Sequence, residues 1–292
     1  MAAKILDGKQ LAEQIRKRTA ERVARLTAAG RQPIMAAVLA GDDAGAILYA
    51  DNQRKKCAEL GIGYRLERLP GSATQADLLA TIDRLNRDAT VDGIILQQPL
   101  PKSCNAAEAQ SAVQPDKDIE GASPMSLGLL AYGRPNLLPC TALAAWELIK
   151  ASGVTVEGAT AVVIGRSQIV GRPVGLILMQ HHATVTTCHT RTRDLPGVAR
   201  TADILIAAAG KPRLVTADFV KPGAVVIDVG TNRVSEPGPD GRVVSRTVGD
   251  VDFAAVSQVA GAISPVPGGV GPVTVALLLS NLADAAEKHA GK

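Results

Sequence analysis

The sequence predicts a two-domain α/β protein in which helices cover parallel sheets and small or branched aliphatic side chains fill the core. Three observations carry this. At 292 residues the chain exceeds the usual single-domain size of about 100–200 residues. Apolar, strand-like runs alternate with segments of helical spacing across short loops, which is the pattern of βαβ units. Hydrophobic residues make up 46% and aromatic ones 2%, so Ala, Val, Leu and Ile must supply the core, as they do where helices pack on parallel strands.

Taken in order, Asp7 is placed to cap a helix in which Leu11, Ile15, Thr19, Val23 and Leu26 recur at helical spacing until Gly30 stops it. Residues 33–40 (PIMAAVLA) read as a buried strand, 47–60 as a helix ending at Gly61, and 64–69 as a strand. A helix at 76–86 then leads into a strand at 91–96. From 102 to 139 the pattern loosens. Pro115, Pro124, Pro135 and Pro139 exclude a long uninterrupted helix, and site-forming loops are expected there. A helix at 141–151 opens a second series, with strands at 159–164, 183–187, 204–208 and 225–229. A final helix at 273–288 is apolar enough to pack back on the first domain. Residues 1–140 and 273–292 are therefore expected to form a smaller α/β domain from both chain ends, with 141–272 as the second domain.

The net charge of +4 is modest, and its Lys and Arg residues are interspersed with acids, which argues against nucleic-acid or membrane-surface partners. The opening MAAKILDGKQLAEQ turns polar after two apolar residues, and no apolar run approaches the ~18 residues of a membrane span. Cys57, Cys104, Cys140 and Cys188 are widely separated, without CxxC or zinc-type His spacing. They are expected to be buried thiols in the cytoplasm, and no metal site is expected.

After the strand ATAVVIG comes GRSQIVGRP, a glycine turn opening a helix whose exposed N–H groups and dipole suit a phosphate. The spacing is not GxGxxG, and Gly165 with Gly171 could be a purely structural turn. The next strand end adds to the signal. An NAD-binding fold usually presents an acid about 20 residues on, for the ribose hydroxyls. Here that position reads TTCHTRTRD, with Thr187, His189, Thr190 and Arg191 preceding the first acid, Asp194. With Arg166 and Ser167 in the first loop, these groups suit a 2′-phosphate and so NADP. The second domain is thus read as a Rossmann-like dinucleotide-binding domain.

Nine segments, in order, now resemble the methylenetetrahydrofolate dehydrogenase/cyclohydrolase family: GDDAGAILYADNQRKKCAELGI, VDGIILQQPLP, PDKDIEGASP, PCT, VVIGRSQIVGRPV, ATVTTCHTRT, KPGAVVIDVGTNRV, GDVDF and ISPVPGGVGPVTVALLLSNL. The resemblance implies a folate-binding substrate domain, an NADP domain, a cleft at their junction and a homodimer. It implies that Tyr49 contacts the folate near its reacting carbon, with Gln97 beside it, and that Pro99, Gly271 and Pro272 shape the folate pocket. It also implies that Thr141, Gly165, Arg166, Ser167, Ile169, Thr190, Gly210, Thr231 and Thr274 lie along NADP. As residues alone, Tyr49 is also readable as a half-buried helix tyrosine and Gln97 as a strand-end polar cap.

Several positions depart from the family pattern. Four residues after the tyrosine the family carries a lysine; here it is Gln53, and Gly41 and Cys57 keep the register on either side. The aspartate of KDVDG, which binds the pterin, is Glu120. Ser123 and Ser126 replace the histidine and asparagine of HPxN, and Ala122 with Ser123 is expected to make room for the longer Glu120 arm. The PCTPxG turn becomes residues 139–144, PCTALA. Oxidation of the methylene bridge mainly needs alignment, whereas hydrolysis of the methenyl cation needs a titratable group. Gln53 cannot titrate near neutral pH, so cyclohydrolase activity is expected to be weak or absent. Lys56, two helical turns after Tyr49, is an alternative amine, although its KK setting reads as a solvated face. Two other functions stay open: hydride transfer to or from another imine or aminal, and a non-catalytic folate or nucleotide regulator.

Overall fold

The computed structural model describes residues 2–237 and 243–291. β1 (Lys4–Ile5) leads into α1 (Gly8–Ala28). Asp7 sets the entry of α1, accepting from the backbone N–H groups of Lys9 and Gln10 at 2.8 and 3.1 Å, two donors that a first turn otherwise leaves open. β2 (Ile34–Ala40) is buried from Met35 onward. α2 (Ala44–Glu59) begins at Asp43, whose carboxylate accepts from Ala46 N at 2.8 Å. β3 (Gly63–Leu69) is followed by α3 (Gln75–Arg87), started by a reciprocal Thr74–Asp77 capping box, and by β4 (Gly93–Leu96).

The stretch expected to be irregular contains two short helices, α4 (Ala106–Ala112) and α5 (Pro124–Ala131). Its prolines delimit helices as well as loops: Pro124 occupies the first turn of α5, where a missing N–H costs nothing. α6 (Cys140–Ser152) precedes the second series. This comprises β5 (Thr160–Ile164), α7 (Gly171–Gln180), β6 (Thr184–Cys188), α8 (Leu195–Ala199), β7 (Ile204–Ala207) and β8 (Val225–Asp228). The hairpin β9 (Asn232–Pro237) and β10 (Val243–Val248) follows, then α9 (Phe253–Val256), β11 (Ala262–Ile263) and α10 (Val270–Ala290).

The chain divides into two compact units, Met1–Ala12 with Thr141–Val275 and Glu13–Cys140 with Ala276–Lys292. This division differs from the expected one, which places residues 1–12 with the Glu13–Cys140 unit. Lys4 and Ile5 pair in parallel with Ala262 and Ile263, so the first strand is an edge of the larger sheet.

The unit built on Glu13–Cys140 holds a three-stranded parallel sheet in the order β3-β2-β4. Both faces of β2 are covered, which is why it shows no polar alternation. Met35 and Ala37 face a cluster with Ile95, Ile119 and Leu278, Leu279 and Leu282 of α10. Ala36 and Val38 face Leu78, Ile82 and Leu85 of α3. Each of the Met, Val, Leu and Ile side chains contributes roughly 1.5–3 kcal/mol of burial free energy, and each alanine methyl less.

The other unit is Rossmann-like, with a wholly parallel sheet ordered β1-β11-β8-β7-β5-β6. The chain moves outward from β5 to β6, then crosses back past β5 to β7. The order therefore reverses between β5 and β7, and ligands of such sheets bind outside the strand carboxyl ends at that switch point. Cys57, Cys140 and Cys188 are buried, but Cys104 is partly exposed, a correction to the expectation of four buried thiols; all four are free. Among the described residues no helix is long and apolar enough to cross a membrane, and no cluster of metal-ligating side chains occurs.

Candidate active site

Tyr49 and Gln53 lie one turn apart on α2. Tyr49 is 49% exposed, whereas Gln53 is 5% and Gln97, just past β4, is 2% exposed. Gln97 Nε2 donates to Gln53 Oε1 at 2.7 Å, and the Tyr64 hydroxyl donates to the same oxygen at 3.4 Å. Gln53 Nε2 is buried with no hydrogen-bond partner. Burial, and then the charge of Glu120, raise the Tyr49 phenol above its ordinary pKa, against an opposing hydrogen-bond influence from Gln53. Tyr49, Gln53, Gln97 and Glu120 are thus electrostatically or directly linked within one unit. Pro99 lies exposed two residues past Gln97. Lys56 is half-buried on α2.

Glu120 leaves the adjacent loop with its backbone carbonyl accepting from Cys140 N at 3.2 Å. Its carboxyl is pushed up to about 7, first by desolvation and then by the charge of Asp118. Asp118 itself is fully buried. It accepts from Ser123 N at 2.8 Å and from Ser126 Oγ at 2.7 Å, and Ser123 Oγ donates to Ser126 Oγ at 3.0 Å. Ser123 also caps α5, accepting from Ser126 N. These two serines are committed to a buried network around Asp118.

In the Rossmann-like unit, Gly165, Thr190, Gly210 and Thr231 follow the ends of β5, β6, β7 and β8, along one edge of the sheet. Gly165 has φ +127°, and an added Cβ would lie 2.0 Å from Ala208 O. Only glycine lets the turn pass flush against the neighbouring strand end. Arg166, Ser167, Ile169, Thr190 and Arg191 are exposed around it. α7 starts without a side-chain cap from its N-cap residue, Val170, but Ser167 takes up its first donors, accepting from Gly171 N at 3.3 Å through Oγ and from Arg172 N at 3.1 Å through its carbonyl, so what this N-terminus offers an anion is the helix dipole. Asp194, the nearest acid after β6, caps its own helix by accepting from Gly197 N at 3.2 Å. These groups fit a dinucleotide with a phosphorylated ribose. Thr141 lies in the first turn of α6. Thr274 lies in α10, its hydroxyl donating to Val270 O at 3.1 Å.

Thr231, Gly271 and Pro272 line a cavity of about 230 Å³, together with Lys9, Asp228 and Thr247. Two carboxylates behind this edge have no role in the sequence reading. Asp250 accepts from Ala209 N at 2.6 Å, Gly210 N at 2.8 Å and Asn232 Nδ2 at 2.8 Å. Asp228 accepts from the N–H groups of Gly230, Asp250 and Val251 at 2.9–3.0 Å, and burial pushes it up to about 6. Together they tie the loops after β7 and β8 to the 249–251 segment. The available signals were an acid closing the apolar strand VVID and the acids of GDVDF. For Tyr64, which holds Gln53, no motif marks the position.

Residues 139–290 match the tetrahydrofolate dehydrogenase/cyclohydrolase NAD(P)-binding domain, and residues 6–120 match the catalytic domain of the same family. The chain is 49% identical to the bifunctional protein FolD of Chloroflexus aurantiacus, over all of both chains. It is 47% identical to that of Moorella thermoacetica, over 99% of this chain and 100% of the relative. It is also similar to the solved methylenetetrahydrofolate dehydrogenase-cyclohydrolase of Trypanosoma brucei in complex with NADP and an inhibitor, with a TM-score of 0.90, 37% identity and complete coverage of both chains. With both family models matched along its length and close relatives covering it end to end, the chain belongs to the tetrahydrofolate dehydrogenase/cyclohydrolase family.

Proposed function

We propose that the chain is an NADP-dependent 5,10-methylenetetrahydrofolate dehydrogenase of one-carbon metabolism whose cyclohydrolase activity is weak. The observation that carries the NADP reading is the edge of the parallel sheet. Arg166, Ser167, Thr190 and Arg191 are exposed there, and the nearest acid, Asp194, is spent on its own helix. Arg166 and Ser167 would receive the 2′-phosphate, the turn at Gly165 and the start of α7 the diphosphate, and Gly210 and Thr231 the remainder. The Trypanosoma brucei relative, solved with NADP, supports this. NADP, when bound, supplies the hydride acceptor.

Tyr49, Gln97, Pro99 and Glu120 are read as folate contacts in one unit, and Gly271 and Pro272 as contacts in the other. Oxidation leaves a cation stabilised by the two folate nitrogens that flank the carbon, so these residues mainly align the substrate. Hydrolysis must also move protons, and Gln53 has none to exchange near neutrality. The relatives are named bifunctional, so the weak hydrolysis rests on this residue alone. Glu120 keeps a titratable group in the set, which favours reduced over abolished hydrolysis. The reading of another imine substrate loses force because Ser123 and Ser126 are committed to Asp118.

Two assays on the purified protein test the proposal: NADP reduction with methylenetetrahydrofolate, and hydrolysis of methenyltetrahydrofolate. The first is expected to be robust and the second slow. Efficient hydrolysis would remove the role given to Gln53, and absence of both activities would remove the folate reading. A cytoplasmic homodimer completes the proposal. Four free thiols support a reducing compartment, and sedimentation velocity checks the dimer.

A further inference from the structure

One end of the Gln53 amide is satisfied and the other is not. Oε1 accepts from Gln97 and Tyr64, while Nε2 is buried and unpartnered. Buried donors without acceptors are costly and rare. Two donors on Oε1 fix which way the amide points, and so direct Nε2 away from Gln97 and Tyr64. Tyr49 lies four residues earlier, on the same helix face. Its phenol feels Gln53 as a hydrogen-bond donor, yet the pair stops short of full hydrogen-bond geometry.

We infer that Gln53 is a positioning residue for Tyr49: anchored by Gln97 through Oε1, it offers Nε2 to the phenol oxygen and leaves the phenol hydrogen to donate to the substrate. The inference rests on the reading of Tyr49 as a folate contact. A hydroxyl has one hydrogen, and an oxygen that accepts from the amide must aim that hydrogen elsewhere. Tyr49, half-exposed, has the freedom to close the last part of the contact when substrate settles against it. The donors then run in one direction, from Gln97 through Gln53 to Tyr49, and each bond polarises the next. An amine at position 53 would orient the phenol in the same sense and could also titrate. The amide keeps the orientation without the proton chemistry, which is the pattern expected of a chain that retains oxidation and hydrolyses slowly.

The test is a tyrosine-selective NMR titration of the full-length, ligand-free protein. With three tyrosines in the chain, Tyr49→Phe identifies the relevant signal. Relative to the unmodified protein, Tyr49 is expected to ionise at higher pH in Gln53→Met, which removes the donor, and higher still in Gln53→Glu, which places an anion there. The KM for methylenetetrahydrofolate is expected to rise roughly two- to tenfold in Gln53→Met, the range of one neutral hydrogen bond, with the KM for NADP unchanged. An unmoved Tyr49 pKa overturns the inference whatever the kinetics. A lowered one also overturns it, since the phenol would then be donating to Gln53. Should Gln53→Met fail to fold, Gln97→Leu frees the amide to turn and is expected to raise the Tyr49 pKa partway; no change there is equally fatal. If the pKa rises as expected in a protein that neither binds nor oxidises the folate, the Gln53–Tyr49 link stands and the folate reading falls.

Discussion

A carboxyl group held near pH 7 changes charge within the range where such a protein is assayed, and Glu120 is that group. Its folded pKa of about 7 lies above the ordinary 4.5, so the folded chain holds the proton more tightly than the unfolded one. The corresponding stability is fully present below about pH 4.5 and is lost as pH rises through 7. Glu120→Gln is therefore expected to match the unmodified protein near pH 4.5 and to exceed its stability above pH 7, by up to about 3 kcal/mol. Urea unfolding at the two pH values checks this, and an equal difference at both would mean that the carboxyl is not desolvated. At Gln53, substitution by lysine returns a titratable amine beside Gln97. The ratio of hydrolysis to oxidation is expected to rise at least tenfold, and up to the roughly 10²–10⁴-fold of well-placed acid–base assistance. If hydrolysis stays at background while oxidation persists, the lysine is not the only missing part. Gln53 and Glu120 were legible because flanking residues keep the register of a motif. Tyr64 was not, because its contact is made by a strand pairing that no local pattern announces.

The two parallel sheets were readable as elements because their central strands are apolar on both faces and longer helices follow them. Short pieces escaped. A two-residue strand such as β1 or β11 carries no periodicity, and helices of seven or eight residues such as α4 and α5 fall below the length at which a helical repeat stands out. The cofactor edge was legible as a set of loops, but what holds those loops was not. Asp250 joins Ala209, Gly210 and Asn232 through three hydrogen bonds across about 40 residues of sequence. Removing it strands buried or partly buried donors at roughly 1–3 kcal/mol each. Asp250→Ala is expected to destabilise the protein by about 3 kcal/mol and to raise the Kd for NADP, because Gly210 loses its tether. Denaturant unfolding paired with an NADP titration decides it. Destabilisation with unchanged NADP affinity would make Asp250 a structural residue only.

At the scale of the whole molecule, the compact units divide differently from the expected boundary at the start of the chain for the same reason that β1 was missed: a long-range parallel pairing, Lys4 with Ala262, leaves no trace in local sequence. The consequence is that the N-terminal segment, including Lys9 on the cavity wall, belongs to the unit that is read as holding the cofactor. Cofactor binding should then be visible as stability of the molecule. A ligand that binds only the folded state adds RT ln(1 + [L]/Kd), about 2.7 kcal/mol at a hundred times Kd, which corresponds to roughly 2–4 °C of Tm per kcal/mol for domains of 150–250 residues. NADP is expected to raise the Tm more than NAD does at equal concentration, because Arg166 and Ser167 are exposed beside the glycine turn and no free acid follows β6. Arg166→Ala should remove most of that difference by weakening NADP roughly 10- to 100-fold, the value of a charge-assisted hydrogen bond of about 1.5–3 kcal/mol, while leaving the smaller NAD shift in place. Arg166 is exposed, so its replacement is expected to leave the ligand-free stability within about 0.5 kcal/mol. Equal losses for both cofactors would show that Arg166 meets a part they share, and the assignment of the 2′-phosphate to this loop would have to be withdrawn.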